Sequence, residues 1–288
     1  GLLPGKHGIV GNGWYARDLS EVLFWKQSNR LVQGERLYEA ARKIDPTYST
    51  AKLFWWYNMY ADVDYSVTPR PTYPADGRKL FDTYSHPSLL KDGLQKRLGT
   101  FPLMKFWGPG ADISSSRWIA DASTIIMREH QPSLSLVYLP HLDYNLQRLG
   151  PTDPNIVNDI SAVDAEAGKI IDLAKEQGSD VVVLSEYAIT AVDNPIHVNR
   201  ILRHHGFLQV RQECTGWETL DGGASRAFAV ADHQIAHIYI RDSCDIPHLE
   251  KLLRETKGID QVLNRDMQKI LGIDHERAGD LVVVAEQG

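Results

Sequence analysis

The sequence contains only two cysteines, Cys214 and Cys244, in 288 residues. That excludes a disulfide scaffold, so a hydrophobic core must supply the stability. A single bridge between the pair is one option, and two buried free thiols are the expectation. No run reaches the roughly 18 apolar residues that a membrane-spanning helix needs. A basic surplus is lacking as well: 31 Lys and Arg stand against 37 Asp and Glu, a formal net charge of −6. An acidic balance argues against a nucleic-acid backbone or an anionic membrane as partner. Low-complexity segments and internal repeats are absent, which excludes solenoids and tandem arrays. No leader segment is visible, and a cytoplasmic location is the expectation. Gly1 is not a natural start, and a strand-like run ends three residues before Gly288. A piece of a longer protein, incomplete at both ends, is therefore expected.

What is present is ordinary for a folded globular chain: 43% hydrophobic and 24% charged residues, enough for one large α/β domain. Residues 47–118 have a texture of their own, rich in aromatics and prolines, and are expected to form an insertion or cap within a single domain spanning 1–288. There, Lys52-Leu-Phe-Trp-Trp-Tyr-Asn-Met-Tyr60 reads as a strand with large side chains on both faces. The stretch holding Pro69, Pro71, Tyr73 and Pro74 reads as a long surface loop.

Residues 134–285 alternate strands and helices. Leu134–Leu139 is a short apolar run of the kind a buried parallel strand needs. Asn155–Gln177 reads as a helix with an apolar stripe at Ile156, Ile160, Val163, Ala167, Ile170, Ile171 and Ala174, stopped by Gly178. Asp180–Leu184 reads as a second buried strand, completing a right-handed β-helix-β crossover. A short helix at His197–His205, paired or continuous strands over 226–240, a helix over 246–256 and a last strand at Leu281–Ala285 follow. The fold class is α/β: a doubly wound, mostly parallel sheet with helices on both faces. Such sheets bind ligands beyond the carboxyl ends of their strands, which selects the loops Pro140–Pro151 and Ser185–Asp193.

Three segments carry the chemistry. Pro4-Gly-Lys-His-Gly-Ile-Val-Gly-Asn-Gly-Trp14 resembles the His-Gly-Ile-x-x-Asn loop of the nucleotide pyrophosphatase/phosphodiesterases (type I phosphodiesterases), a branch of the alkaline phosphatase superfamily. Leu139-Pro-His-Leu-Asp-Tyr-Asn-Leu-Gln-Arg-Leu-Gly-Pro151 resembles that family's Pro-Asp-x-x-x-His-x-x-Gly-Pro loop, and Val183-Leu-Ser-Glu-Tyr187 its Ser-Asp-His motif. The resemblance implies an alkaline phosphatase-like fold, a small-molecule phosphate ester as substrate and divalent metal ions, zinc in the family, as cofactors. It implies a phosphate contact at Asn12 and metal ligation at Asp143 and Glu186. The nucleophilic Thr is implied ahead of Gly1, so no catalytic nucleophile is assigned within the chain. The family's two His positions are occupied by Gln147 and Tyr187, which are expected to contact substrate or phosphate, and this makes the chain a divergent member. An amide oxygen is a weaker zinc ligand than imidazole, and a tyrosine is ordinarily a hydrogen-bond donor. More oxygen and less nitrogen favours magnesium, manganese or calcium. The family's C-terminal His has no clear counterpart; Asp274-His275 is a weak one.

Other residues have two readings each. His141, at the functional edge, either touches substrate or makes a supporting hydrogen bond. In Ala231-Asp-His-Gln-Ile-Ala-His237, placed within a strand, His233 and His237 share a face; they either finish a polar strand end or line the cleft, with His233 the substrate contact. Residues 54–60 are either core or a stacking platform, for which Trp14-Tyr15 are better placed. His7 caps or packs its loop, and Asp62 and Asp64 are solvated acids. The expected function is metal-dependent hydrolysis of phosphodiester or nucleotide pyrophosphate bonds. The alternatives are a catalytically impaired binding module and a hydrolase of another ester with altered metals.

Overall fold

The computed structural model describes residues 1–71 and 80–288, so the Tyr73-Pro74 part of the expected loop lies outside the described residues. The chain divides into two compact units, one of Gly1–Lys26, Leu31–Gly34 and Val192–Gly288, the other of Gln27–Arg30 and Glu35–Ala191.

The second of these holds a mixed, largely parallel sheet. Among the described residues its strand order is Thr83–His86, Tyr65–Pro69, Thr50–Leu53, Leu134–Val137. Thr50–Leu53 runs parallel to both neighbours, with Ala51 opposite Tyr65 on one side and Ser135 on the other. Thr83–His86 closes the edge antiparallel. Residues 47–118 supply three of these strands. Helix Ile113–His130 starts at Asp112, whose carboxylate accepts from Ser114 N–H. Its buried Trp118, Ile119, Ala122 and Ile126 recur at helical spacing and pack with Leu53, Phe54, Phe101 and Phe106. Helix Ile156–Glu176 lies beside it, joined by a Met127–Leu173–Ala174 cluster and by Glu166, which Arg117 and Lys169 bracket at 3.0 and 2.5 Å. The helix matches its sequence pattern, except that Ile160 is exposed.

Two expected strands differ. Only Lys52 and Leu53 of the 52–60 run are strand. From Phe54 the chain turns repeatedly, with Phe54, Tyr57 and Tyr60 at φ 59°, 52° and 63°, the left-handed region that bulky residues adopt under constraint. The constraint is Asn58, whose buried amide donates to Lys52 O at 3.0 Å and Val67 O at 2.9 Å, closing the ends of two adjacent strands. Residues 180–184 form no strand; Val182 and Val183 are 82% and 77% exposed. No described strand pairs with them, and an unpaired run has no ladder to hold it. Asp64 is not simply solvated: it pairs with Arg42 at 2.7 Å and accepts Thr50 N–H at 2.7 Å.

The other unit holds an antiparallel sheet in the order Ile259–Leu263, Leu281–Ala285, Ile235–Ile240, Ala227–Asp232. Helices Val198–His204 and Ile246–Arg254 bury Leu202, Leu249 and Leu253 in its core with Ile238 and Leu281. Of the two readings of 226–240, paired strands are formed. His233 occupies the turn, at φ 57°, while His237 lies inside the second strand, so the expected shared face does not exist. Gly279 lets the chain pass tightly here: a Cβ would sit 2.5 Å from Ile238 N. Cys214 and Cys244 are both exposed and unbridged, correcting the expectation of buried thiols; Cys214 stands in a turn and Cys244 in the short 3-10 helix Ser243–Asp245, both outside the sheet. Of the pair read as better placed for stacking, Trp14 is 4% exposed with the Arg277 guanidinium over its ring, and Tyr15 packs on Phe228 and Tyr239. Among the described residues no helix is long and apolar enough to cross a membrane.

Lys52 is 2% exposed. Its ammonium donates to Tyr57 O at 3.2 Å and Trp56 O at 3.4 Å, beside the Tyr38 ring. Burial, reinforced by Arg36, lowers its pKa to about 8. The folded state therefore disfavours the charged form, a penalty present in full below pH 8 and relieved as pH rises toward the unfolded lysine value. Relative to Lys52→Met, the wild type should gain about 3 kcal/mol between pH 8 and pH 10.5. Denaturant titrations of both proteins across that range measure the difference; a pH-independent gap would refute it.

Candidate functional site

In the unit with the mixed sheet, Thr50–Leu53 and Leu134–Val137 point their carboxyl ends the same way, the end where such sheets bind ligands. Beyond Val137 the chain passes through Tyr138 into helix Leu142–Leu149, which stops at Gly150 with φ 81°. Asp143 and Gln147 stand one helical turn apart and face each other. Gln147 Nε2 donates to Asp143 Oδ1 at 2.7 Å, and the Tyr187 hydroxyl donates to the same oxygen at 2.5 Å. The amide presents its NH₂ end, because its carbonyl would set lone pairs against lone pairs. Burial, then the hydrogen bond to Asp143, pushes the Tyr187 phenol above its ordinary value. Burial, then the charges of Glu186 and Asp143, does the same for Tyr138. Both phenols are therefore protonated donors at neutral pH. Trp56, from the turning loop after Leu53, meets Tyr138 edge-on with centroids 5.8 Å apart.

His141 faces away from this cluster. Its Nε2 donates to Asp159 Oδ1 at 3.0 Å, with the two side chains 7% and 16% exposed. Asn145 Nδ2 donates to the other Asp159 oxygen at 2.7 Å. The supporting hydrogen bond, one of the two readings of His141, is present. The Asp159 carboxylate thus ties the short helix carrying Asp143 and Gln147 to helix Ile156–Glu176.

In the other unit, Asp232 organises the Asn12 loop. Asn12 N–H and Nδ2 donate to its two oxygens at 2.7 and 3.0 Å. The His233 ring lies 3.7 Å from Asp232 Oδ1 and is largely exposed. His237, buried, accepts Gly279 N–H at Nδ1 (3.1 Å), so its Nε2–H donates to Val10 O (3.0 Å). Burial lowers its pKa, which keeps the ring neutral. His7 accepts Ile9 N–H within the loop. Asp274 pairs with Arg265, and His275 with Gln33.

The structure thus brings Asp143, Gln147 and Tyr187 together, with Glu186 acting electrostatically on Tyr187, and gathers Asn12 and His233 on Asp232. Asp159, Asn145 and Tyr138 were missed from sequence, whereas His237 matches the reading as a hydrogen-bonded strand histidine. Only the four-residue spacing of His141 and Asn145 could have suggested a shared partner.

Among the described residues no three His, Cys, Asp or Glu gather as a metal-ligand group. Zinc requires lone pairs from nitrogen, sulfur or carboxylate oxygen. At both implied His positions the structure presents hydrogens toward Asp143, so this donor set does not fit zinc.

The family model described as type I phosphodiesterase / nucleotide pyrophosphatase matches residues 1–288. Comparison with curated proteins by sequence finds no match. Among solved structures, phosphonoacetate hydrolase from Sinorhizobium meliloti 1021 in complex with phosphonoacetate superposes with a TM-score of 0.57 at 17% identity, covering 98% of this chain and 66% of that one. Murine ectonucleotide pyrophosphatase / phosphodiesterase 5 gives 0.58 at 14% identity, covering 100% and 65%. The alkaline phosphatase PafA gives 0.66 at 11% identity, covering 100% and 74%. These likenesses show an alkaline phosphatase-like fold, and the chain spans about two thirds of the length of the first two.

Removing the Asp159 carboxylate would leave the buried His141 N–H unpaired. Asp159→Ala and His141→Ala should each lower the unfolding free energy by about 2 kcal/mol. Because they share one hydrogen bond, the double variant should lose about 1 kcal/mol less than the sum. A urea-denaturation cycle tests this, and strict additivity would count against the pairing.

Proposed function

The chain belongs to the type I phosphodiesterase / nucleotide pyrophosphatase family, and on that premise we propose that it forms the phosphate-handling frame of a hydrolase acting on phosphodiester or nucleotide pyrophosphate bonds. The observation that carries the reading is the family match across residues 1–288. The order of the three motifs supports it: Asn12, then the Asp143 loop, then Glu186. Relatives of the same fold handle small phosphorus-containing ligands: the Sinorhizobium hydrolase was solved with phosphonoacetate, and an inactive threonine-to-alanine variant of the murine protein with AMP. A small phosphate ester is accordingly the substrate class, and the nucleophile is the family's Thr, standing ahead of Gly1. A cytoplasmic location belongs to the same proposal.

In this reading Asn12 contacts the phosphate. Its backbone and side chain are both fixed by Asp232, and the loop behind it is fixed through Val10 by His237. A donor fixed before substrate arrives needs no reorganisation in the transition state. Any divalent ion would be held by the carboxylates of Asp143 and Glu186 and would be of the oxygen-preferring class, magnesium, manganese or calcium; it would polarise a phosphoryl oxygen. A second reading, a binding module without turnover, is favoured by one observation: Gln147 and Tyr187 are both engaged with Asp143.

Hydrolysis of bis-p-nitrophenyl phosphate by the full-length protein, assayed with each of those ions, separates the two. Activity is expected, and Asn12→Ala should lower kcat/KM by about 100-fold. No turnover with any ion would leave the binding-module reading standing.

A further inference from the structure

We infer that Tyr187 and Gln147 form a hydrogen-bond clamp that takes the place of a zinc ion at Asp143. Resting on the family reading, which sets the expectation of zinc at this carboxylate, the inference concerns what the chain's own residues do there.

The geometry is specific. Two neutral donors from different segments converge on a single oxygen, Asp143 Oδ1, at 2.5 and 2.7 Å. A zinc–carboxylate bond is about 2.0–2.2 Å long, so an ion on that oxygen would have to displace a donor. A ligand offers a cation its lone pairs. Here the phenol and the amide offer hydrogens, and they approach the carboxylate from the side of positive charge. They supply to Asp143 what a cation would supply. To bind zinc, the amide would have to turn over and the phenol swing away, leaving oxygen ligands where the metal favours nitrogen.

The helix positions the clamp without help from a metal. Gln147 follows Asp143 by one turn, and Asp159 holds that helix through His141 and Asn145. The carboxylate is thus fixed from behind and satisfied in front.

The test is zinc binding, which needs no activity. The full-length protein is stripped with EDTA, titrated with zinc chloride by calorimetry and assayed for retained metal. The wild type should retain no stoichiometric zinc, and Asp143→Asn should leave its zinc content unchanged. The double variant Gln147→His/Tyr187→His should bind zinc at least about 100-fold more tightly than the wild type, and adding Asp143→Asn should abolish the gain. Circular dichroism establishes that each variant is folded, and Gln147→His alone, which leaves Tyr187 in place, should give a smaller gain. Stoichiometric zinc in the wild type that is lost in Asp143→Asn would overturn the clamp, as would a folded double-histidine variant with unchanged affinity. A hydrolase failing with every ion would instead remove the functional reading and leave the clamp intact.

Discussion

One carboxylate, Asp159, governs the geometry of the Asp143 cluster. It accepts His141 on one oxygen and Asn145 on the other, and both donors belong to the start of the short helix Leu142–Leu149. An eight-residue helix is too short to be stable alone. It forms here because its first turn is fastened to the long helix Ile156–Glu176. Once it is fastened, the positions of Asp143 and Gln147 follow from helical pitch, and Tyr187 needs only to reach a carboxylate whose direction is already set.

The same device recurs in the other unit. Asp232, at the end of a strand, accepts both the backbone and the side chain of Asn12. Behind it a neutral His237 bridges Val10 and Gly279. In both places one carboxylate accepts two hydrogen bonds and holds a neighbouring segment in one conformation. A bridge of this kind depends little on ionic strength compared with an exposed ion pair.

The parts legible in the sequence were those with a strong period or a fixed motif. The Ile156–Glu176 helix was visible because apolar residues recur on one face over 21 residues. The Leu134–Val137 and Leu281–Ala285 strands were visible as short apolar runs. The 52–60 and 180–184 runs look the same by composition, but one is bent by an Asn58 side chain and the other finds no partner strand; neither fact has a local signature. The family motifs located Asp143, Gln147 and Tyr187. They did not show that the last two point donors at the first, because hydrogen-bond direction depends on which groups meet in space. Asp159 escaped because an acid on a helix surface reads as solvated until its partners are known.

Energetics decide between clamp and ion. A zinc site with a full set of good ligands is worth about 10–16 kcal/mol, or roughly 3–4 per ligand. Replacing two imidazoles by an amide and a phenol removes roughly half of that. What remains must also outweigh two hydrogen bonds to a charged group, each about 1.5–3 kcal/mol. The two sides come out within a few kcal/mol of each other, so zinc loses its usual commanding advantage. Neither substitution alone would do this: a lone Gln147 would leave one imidazole and one donor, and zinc would still prevail. The presence of both, aimed at the same oxygen, is what moves the balance, and it explains how a chain can keep the acidic frame of the fold while changing what that frame holds.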